Sequence, residues 1–205
     1  QLERYTYNKI KSNENDFERD INDFFKNGGV GLNVTVPFKG LAYNLCDEID
    51  QSAGLCKSVN TVLIDSGKLI GHSTDGQGLI DDFSHKKITL EDSKILIIGA
   101  GGSAASIISS LLFHGKIKKI SILNRTKSNA LKLLDLFETN RLLMHEEGDE
   151  YDIVINTTPI SMNVDDIILP PELIMNKPIC YDLFYDKEKT LSLIHISEPT
   201  RPRLI

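Results

Sequence analysis

"KILIIGAGGSAASIISSLLFHG", residues 94–115, decides the fold. "KILII" is an apolar run with no polar alternation, the pattern of a strand covered on both faces. A glycine-rich turn follows at once, and then a long stretch of small and apolar residues reads as a helix ending near Gly115. Further along, "KISIL" (119–123), "YDIVINTT" (151–158) and "PICYDLF" (178–184) read as strands, with "KSNALKLLDLF" (127–137) as a helix. Apolar strands alternating with helices imply a parallel sheet with helices on both faces.

The turn itself carries chemistry. Gly99, Gly101 and Ala104 have the spacing of a dinucleotide fingerprint and sit directly between strand and helix. Gly99 makes the tight turn, Gly101 lets a diphosphate approach the backbone, and the small residue at 104 lets helix and strand pack closely. The helix start adds free N–H groups and a partial positive charge. Gly99, Ala100, Gly101, Gly102 and Ser103 are therefore the candidate phosphate cradle. After the second strand an NAD site offers a carboxylate to the ribose. Here the strand ends in "NRTKSN" (124–129), which has none. Arg125 stands where a 2′-phosphate would lie, and its planar fork of donors suits that group. Asn124 and Thr126 offer hydrogen bonds and Lys127 adds charge, so the expected cofactor is NADP. A surface arginine in an ordinary loop is the alternative for Arg125.

Upstream the style differs. "RYTYNKI" (4–10) alternates and predicts a strand, and Ser12 or Asn13 can cap a helix bearing Phe17, Ile21, Phe24 and Phe25, ended by Gly28 and Gly29. "GLNVTVPFKG" (31–40) predicts a strand with Leu32, Val34 and Val36 on one face, then a helix from Pro37. "SVNTVLI" (58–64) and "KLIGHST" (68–74) read as a hairpin across "DSG". Standing alone, Lys39 reads as a solvated charge in a first helical turn. It gains meaning beside the polar ends of neighbouring strands, which carry Thr35, Asn60 and Asp75. A helix over Asp75–Phe83 is expected to bridge two domains, with the boundary there and a cleft beside it.

Composition sets outer limits. The 205 residues are 40% hydrophobic and 25% charged, with a net charge of −6. That balance argues against a nucleic-acid surface, and no apolar run approaches the ~20 residues of a membrane helix. Three cysteines without paired spacing and five scattered histidines suggest neither a disulfide framework nor a metal site. A reduced, cytoplasmic protein acting on a small molecule, as a monomer or homodimer, is the simplest expectation.

Together "GLNVTVPFK", "SVNT", "STDGQG", "GAGGSA", "NRT", "INTTP" and "YDLFY" occur in the order and approximate spacing of shikimate dehydrogenases, which the chain resembles from about Arg4 to Thr190. The resemblance implies a small mixed α/β substrate-binding domain (1–75) followed by a Rossmann-like, parallel-sheet NADP-binding domain (76–190). It implies reduction of 3-dehydroshikimate to shikimate with NADPH, with Lys39 as catalytic lysine and Asp75 as its carboxylate partner. Thr35, Asn60, Asp75 and Tyr185 would contact the substrate, and Leu183 would pack near the nicotinamide. A quinate/shikimate dehydrogenase that accepts NAD, or a non-catalytic dinucleotide-binding fragment, are the competing readings. The pattern departs from the family in four places. A serine-bearing first strand has no counterpart, and "LSLIHISEPTRPRLI" (191–205) is expected to be a non-native tail in place of closing helices. Ser73 replaces an asparagine, and Asn129 replaces an arginine that would support the 2′-phosphate.

Overall fold

The computed structural model describes residues 6–158, 173 and 175–183. Helix α1 (Phe17–Lys26) buries Phe17 and Ile21, two positions one turn apart. The expected caps act earlier than predicted. The Asn13 side-chain oxygen accepts from the amides of Asn15 (3.0 Å) and Asp16 (3.1 Å), so it turns the chain into the helix, whose N-cap is Asp16. Ser12 donates to Asp20 instead (2.7 Å). Residues 6–10 are not a strand. Their alternation has no apolar face to bury: Tyr7 is 77% exposed and only its hydroxyl is engaged, by Asn33.

The remainder of this half is a four-stranded mixed sheet. Strands β1 (Gly31–Asn33), β2 (Glu48–Ile49), β3 (Thr61–Asp65) and β4 (Lys68–His72) lie in the order β1-β3-β4-β2, with helices α2 (Lys39–Leu45) and α3 (Gln51–Cys56) between strands. The predicted hairpin is β3–β4, turning at Ser66 and Gly67, both with positive φ (51° and 79°). That pair of conformations matches the twist of the flanking strands. The strand expected over 31–36 keeps only three residues, and the helix expected from Pro37 begins at Lys39. β2 and α3 are too short to show a period in the sequence. Asp50 nonetheless caps α3 by accepting from the Ala53 amide (2.8 Å).

Helix α4 (Asp75–His85) leaves β4 and leads to the second sheet. There β5 (Lys94–Ile98), α5 (Gly102–His114), β6 (Lys119–Leu123), α6 (Lys127–Phe137), β7 (Leu142–Met144), β8 (Ile153–Asn156) and β9 (Ile179–Asp182) build a parallel sheet in the order β7-β6-β5-β8-β9. β7 was not foreseen; the other four strands were. Ile95, Ile97, Ile120, Ile122, Ile153 and Ile155 pack towards α4 and α5, while Leu96, Ile98 and Val154 pack with Tyr151 and Leu173 on the other face. This two-sided burial is what the unbroken apolar runs require. In the register, Ile98 pairs with both Leu123 and Asn156, so the strand ends align and the order reverses at β5. Ligands of such sheets bind in the crevice at that reversal.

Burial pushes the Cys180 thiol up to about 12, and burial with the nearby Asp47 pushes Cys46 up to about 11. Burial, with Asp82 accepting its proton, raises Tyr181 to about 12. Each group keeps its proton in the folded chain where the unfolded chain loses it, from about 8.5 for a thiol and about 10 for a phenol. The stability they carry is complete below those values and is lost as pH rises towards the folded-state values. The urea midpoint should therefore fall steadily between about pH 9 and 11. A midpoint that stays level across that interval would show that these groups are not shielded.

Candidate active site

Four segments converge where the two sheets meet. After β1, the Val34 amide donates to Asn60 (2.7 Å), the chain turns, and the Phe38 ring stacks on Phe17 at 5.1 Å. This anchors the start of α2, where Lys39 is the first helical residue and only 8% exposed. The Val59 amide donates to the Lys39 carbonyl (3.0 Å), so Asn60 arrives beside it. β4 exits through Ser73 and Thr74 into α4, which starts at Asp75.

The side chains then close a network. The Lys39 ammonium donates to one carboxylate oxygen of Asp75 and to Ser103 Oγ (2.8 Å). Asn60 Nδ2 donates to the other Asp75 oxygen (2.5 Å), and Asn60 Oδ1 accepts from the Thr74 amide (2.9 Å). A buried ammonium needs a counter-charge, and Asp75 supplies it. Two of the three Lys39 N–H groups are thereby engaged, which leaves one for an acceptor in the cleft. Lys39, Asn60 and Asp75 are thus together, as the sequence suggested. Thr35 is exposed on the loop leading to α2, and no side-chain bond among the described residues ties it to the network. Tyr185 lies outside the described residues.

The candidate phosphate cradle borders the same network. Gly99 has φ +111°, and a Cβ there would fall 2.5 Å from Thr157 Oγ1, so only glycine fits. Gly101 is extended and would place a Cβ in open space, leaving its face clear for a ligand. Ala104 is fully buried against the core, as its small size predicted. Ser103, expected to touch the cofactor, also accepts from Lys39. Arg125 and Lys127 are exposed at the start of α6. The Asn124 side chain donates within its own loop, to the Thr126 carbonyl (2.8 Å). Leu183 is half-buried against the sheet core, its amide bonded to the Asn156 carbonyl (3.0 Å) at the crevice. Among the described residues, no cluster of histidine, cysteine or carboxylate side chains could hold a metal.

Sequence reasoning missed the seam between α4 and α5. The Gly76 amide donates to Ser106 Oγ (3.0 Å), which also accepts from Ser73 Oγ (2.8 Å). Ser106 and Ser110, one turn apart in a helix rich in small residues, were the signal available.

The family model described as the shikimate dehydrogenase substrate binding domain matches residues 2–62, and that described as shikimate / quinate 5-dehydrogenase matches residues 82–178. The shikimate dehydrogenase (NADP(+)) of Colwellia psychrerythraea is 36% identical over 188 residues, covering 90% of this chain and 68% of the relative. The chain belongs to the shikimate dehydrogenase family. The Legionella pneumophila shikimate dehydrogenase (NADP(+)) is 39% identical over 189 residues, covering 92% of this chain and 71% of that one. A shikimate dehydrogenase solved in complex with NADP+ superposes with a TM-score of 0.77 at 29% identity, covering 91% of this chain and 69% of that one.

Removing the Asp75 carboxylate would leave the Lys39 ammonium buried without its counter-charge. Asp75→Ala should cost about 1–3 kcal/mol of stability, and adding Lys39→Met should recover part of it. Urea unfolding of the four chains in the cycle measures the coupling. Strictly additive losses would mean the pair does not interact in solution.

Proposed function

We propose that this chain reduces 3-dehydroshikimate to shikimate with NADPH, a step towards the aromatic amino acids, and that Lys39 is its proton donor. The observation that carries this reading is one charged pair, Lys39 and Asp75, held against the first turn of the dinucleotide-binding helix by Ser103. Family membership and the NADP(+)-dependent relatives support the reaction and the cofactor. Residues 1–75 and 76–190 divide the work, substrate to the mixed sheet and cofactor to the parallel one. The reaction belongs to the cytoplasm, in keeping with the unpaired thiols Cys46, Cys56 and Cys180, and to a monomer or homodimer. No described helix is long and apolar enough to cross a membrane.

The residues present fit the cofactor: Gly101 leaves its face open, α5 starts without a side-chain cap, and Arg125 is exposed at the end of β6. Gly99 to Ser103 would hold the diphosphate, and Asn124 to Lys127 the 2′-phosphate. When bound, NADPH supplies the hydride. Lys39 hydrogen-bonds the ketone oxygen and transfers its proton there as negative charge develops. Asp75 orients the ammonium through their ion pair, and its carboxylate can accept a hydrogen bond from a substrate hydroxyl. Asn60 and Thr35 offer further partners to the substrate hydroxyls, whose recognition depends on matched polar groups.

Two variants test the assignments. Lys39→Ala should lower kcat roughly 10²–10⁴-fold with a much smaller effect on KM, the pattern of a lost acid–base group. The assay follows NADPH absorbance with 3-dehydroshikimate. A near-normal kcat would return Lys39 to a structural role. Arg125→Ala should weaken NADPH by roughly 10–150-fold, the value of a charge-assisted contact, while NADH binding stays nearly constant. Equal losses for both would assign Arg125 to the fold and reopen the NAD-accepting alternative.

A further inference from the structure

A cleft of about 450 Å³ opens between the two halves, with Gly101 and Gly102 on one side and Lys57, Ser58 and Lys132 around the rest. Lys57 ends α3 in the left-handed conformation (φ 48°), which turns Ser58 inward beside the glycine turn. Ser58 is 3% exposed, and its hydroxyl has no hydrogen-bond partner among the described residues. A Cβ on Gly102 would lie 2.6 Å from that hydroxyl, so it faces the start of α5 directly. An unmet buried hydroxyl is a cost that a protein tolerates where a ligand will meet it. Lys57 and Lys132 are exposed and make no ion pair among the described residues, and no carboxylate lines this cleft. In a chain of net charge −6, that local excess of cations is a second and independent sign.

We propose that Lys57, Ser58 and Lys132 form a far wall of the cofactor site that holds the dinucleotide diphosphate from the side opposite the glycine turn. The inference rests on the NADPH reading above and adds residues outside its fingerprint. Ser58 donates its hydroxyl proton to a phosphate oxygen, and the two ammonium groups supply counter-charge. Lys57 and Ser58 belong to the mixed-sheet half, so the cofactor spans both halves when it binds. The diphosphate is common to NADPH and NADH, so this wall serves both, unlike Arg125.

Fluorescence titration with NADPH and NADH tests it on the parent chain, Lys57→Gln/Lys132→Gln, Ser58→Ala and Arg125→Ala. The double glutamine variant should weaken both cofactors roughly 3- to 30-fold, with a shallower salt dependence. Ser58→Ala should weaken both roughly 2- to 12-fold while melting no lower than the parent, because no bond is lost in the free protein. Inorganic pyrophosphate should displace NADPH from the parent more readily than from the double variant. Unchanged affinities, or a loss confined to NADPH, in a parent that binds NADPH would overturn this wall alone. A parent that fails to bind NADPH would overturn the nucleotide site and the wall together.

Discussion

The contact on which the site depends is a glycine against a carbonyl. At Gly76 a Cβ would stand 2.3 Å from the Ser106 carbonyl oxygen, so α4 meets α5 at a separation only glycine allows. Ser106 Oγ then takes both the Gly76 amide and the Ser73 hydroxyl, fixing the end of β4 against α5. Asp75 lies between those two anchored residues. Its carboxylate is thereby carried to the seam of the two sheets, where Lys39 arrives from α2. Further along α4, Leu79 and Phe83 enter the parallel-sheet core, and Tyr181 donates to Asp82 (2.9 Å), so the same helix is secured at both ends.

That geometry determines the chemistry open to Lys39. Its stem is packed beneath the glycine turn, with a Gly102 Cβ position 3.3 Å from Lys39 Cδ. The Asp75 carboxylate is the counter-charge of Lys39, and Asn60 fixes the carboxylate in turn. The Asn60 orientation is set by its backbone partner: Oδ1 must face the Thr74 amide, so Nδ2 must face Asp75. An N–H donor held this way loses little freedom when an acceptor enters the cleft, which is the benefit of preorganised groups.

The parallel sheet was legible because two-sided burial writes itself as uninterrupted apolar runs, and "KILII" and "IVIN" have no other economical reading. The hairpin was legible from its turn residues. Short elements were not: β2 has two residues, which can show no period, and β7 has three. The alternation of 6–10 misled because periodicity reports a possible face, not the neighbour that would cover it. Lys39, Asn60 and Asp75 could be gathered from strand ends and a family resemblance. The Ser73–Ser106–Gly76 seam could not, since small residues in a helix announce close packing without naming the partner.

The cleft's charge distribution ties these points together. The chain carries a net charge of −6, yet Lys39, Lys57 and Lys132 line the cleft at the start of α5, whose own amides carry partial positive charge. Of these three lysines, only Lys39 has a carboxylate partner among the described residues. Lys57 and Lys132, which make no ion pair among the described residues, leave positive charge beside that helix start. Where Gly76 lets α4 lie therefore sets where Asp75, and with it the paired Lys39, stands beside the start of α5.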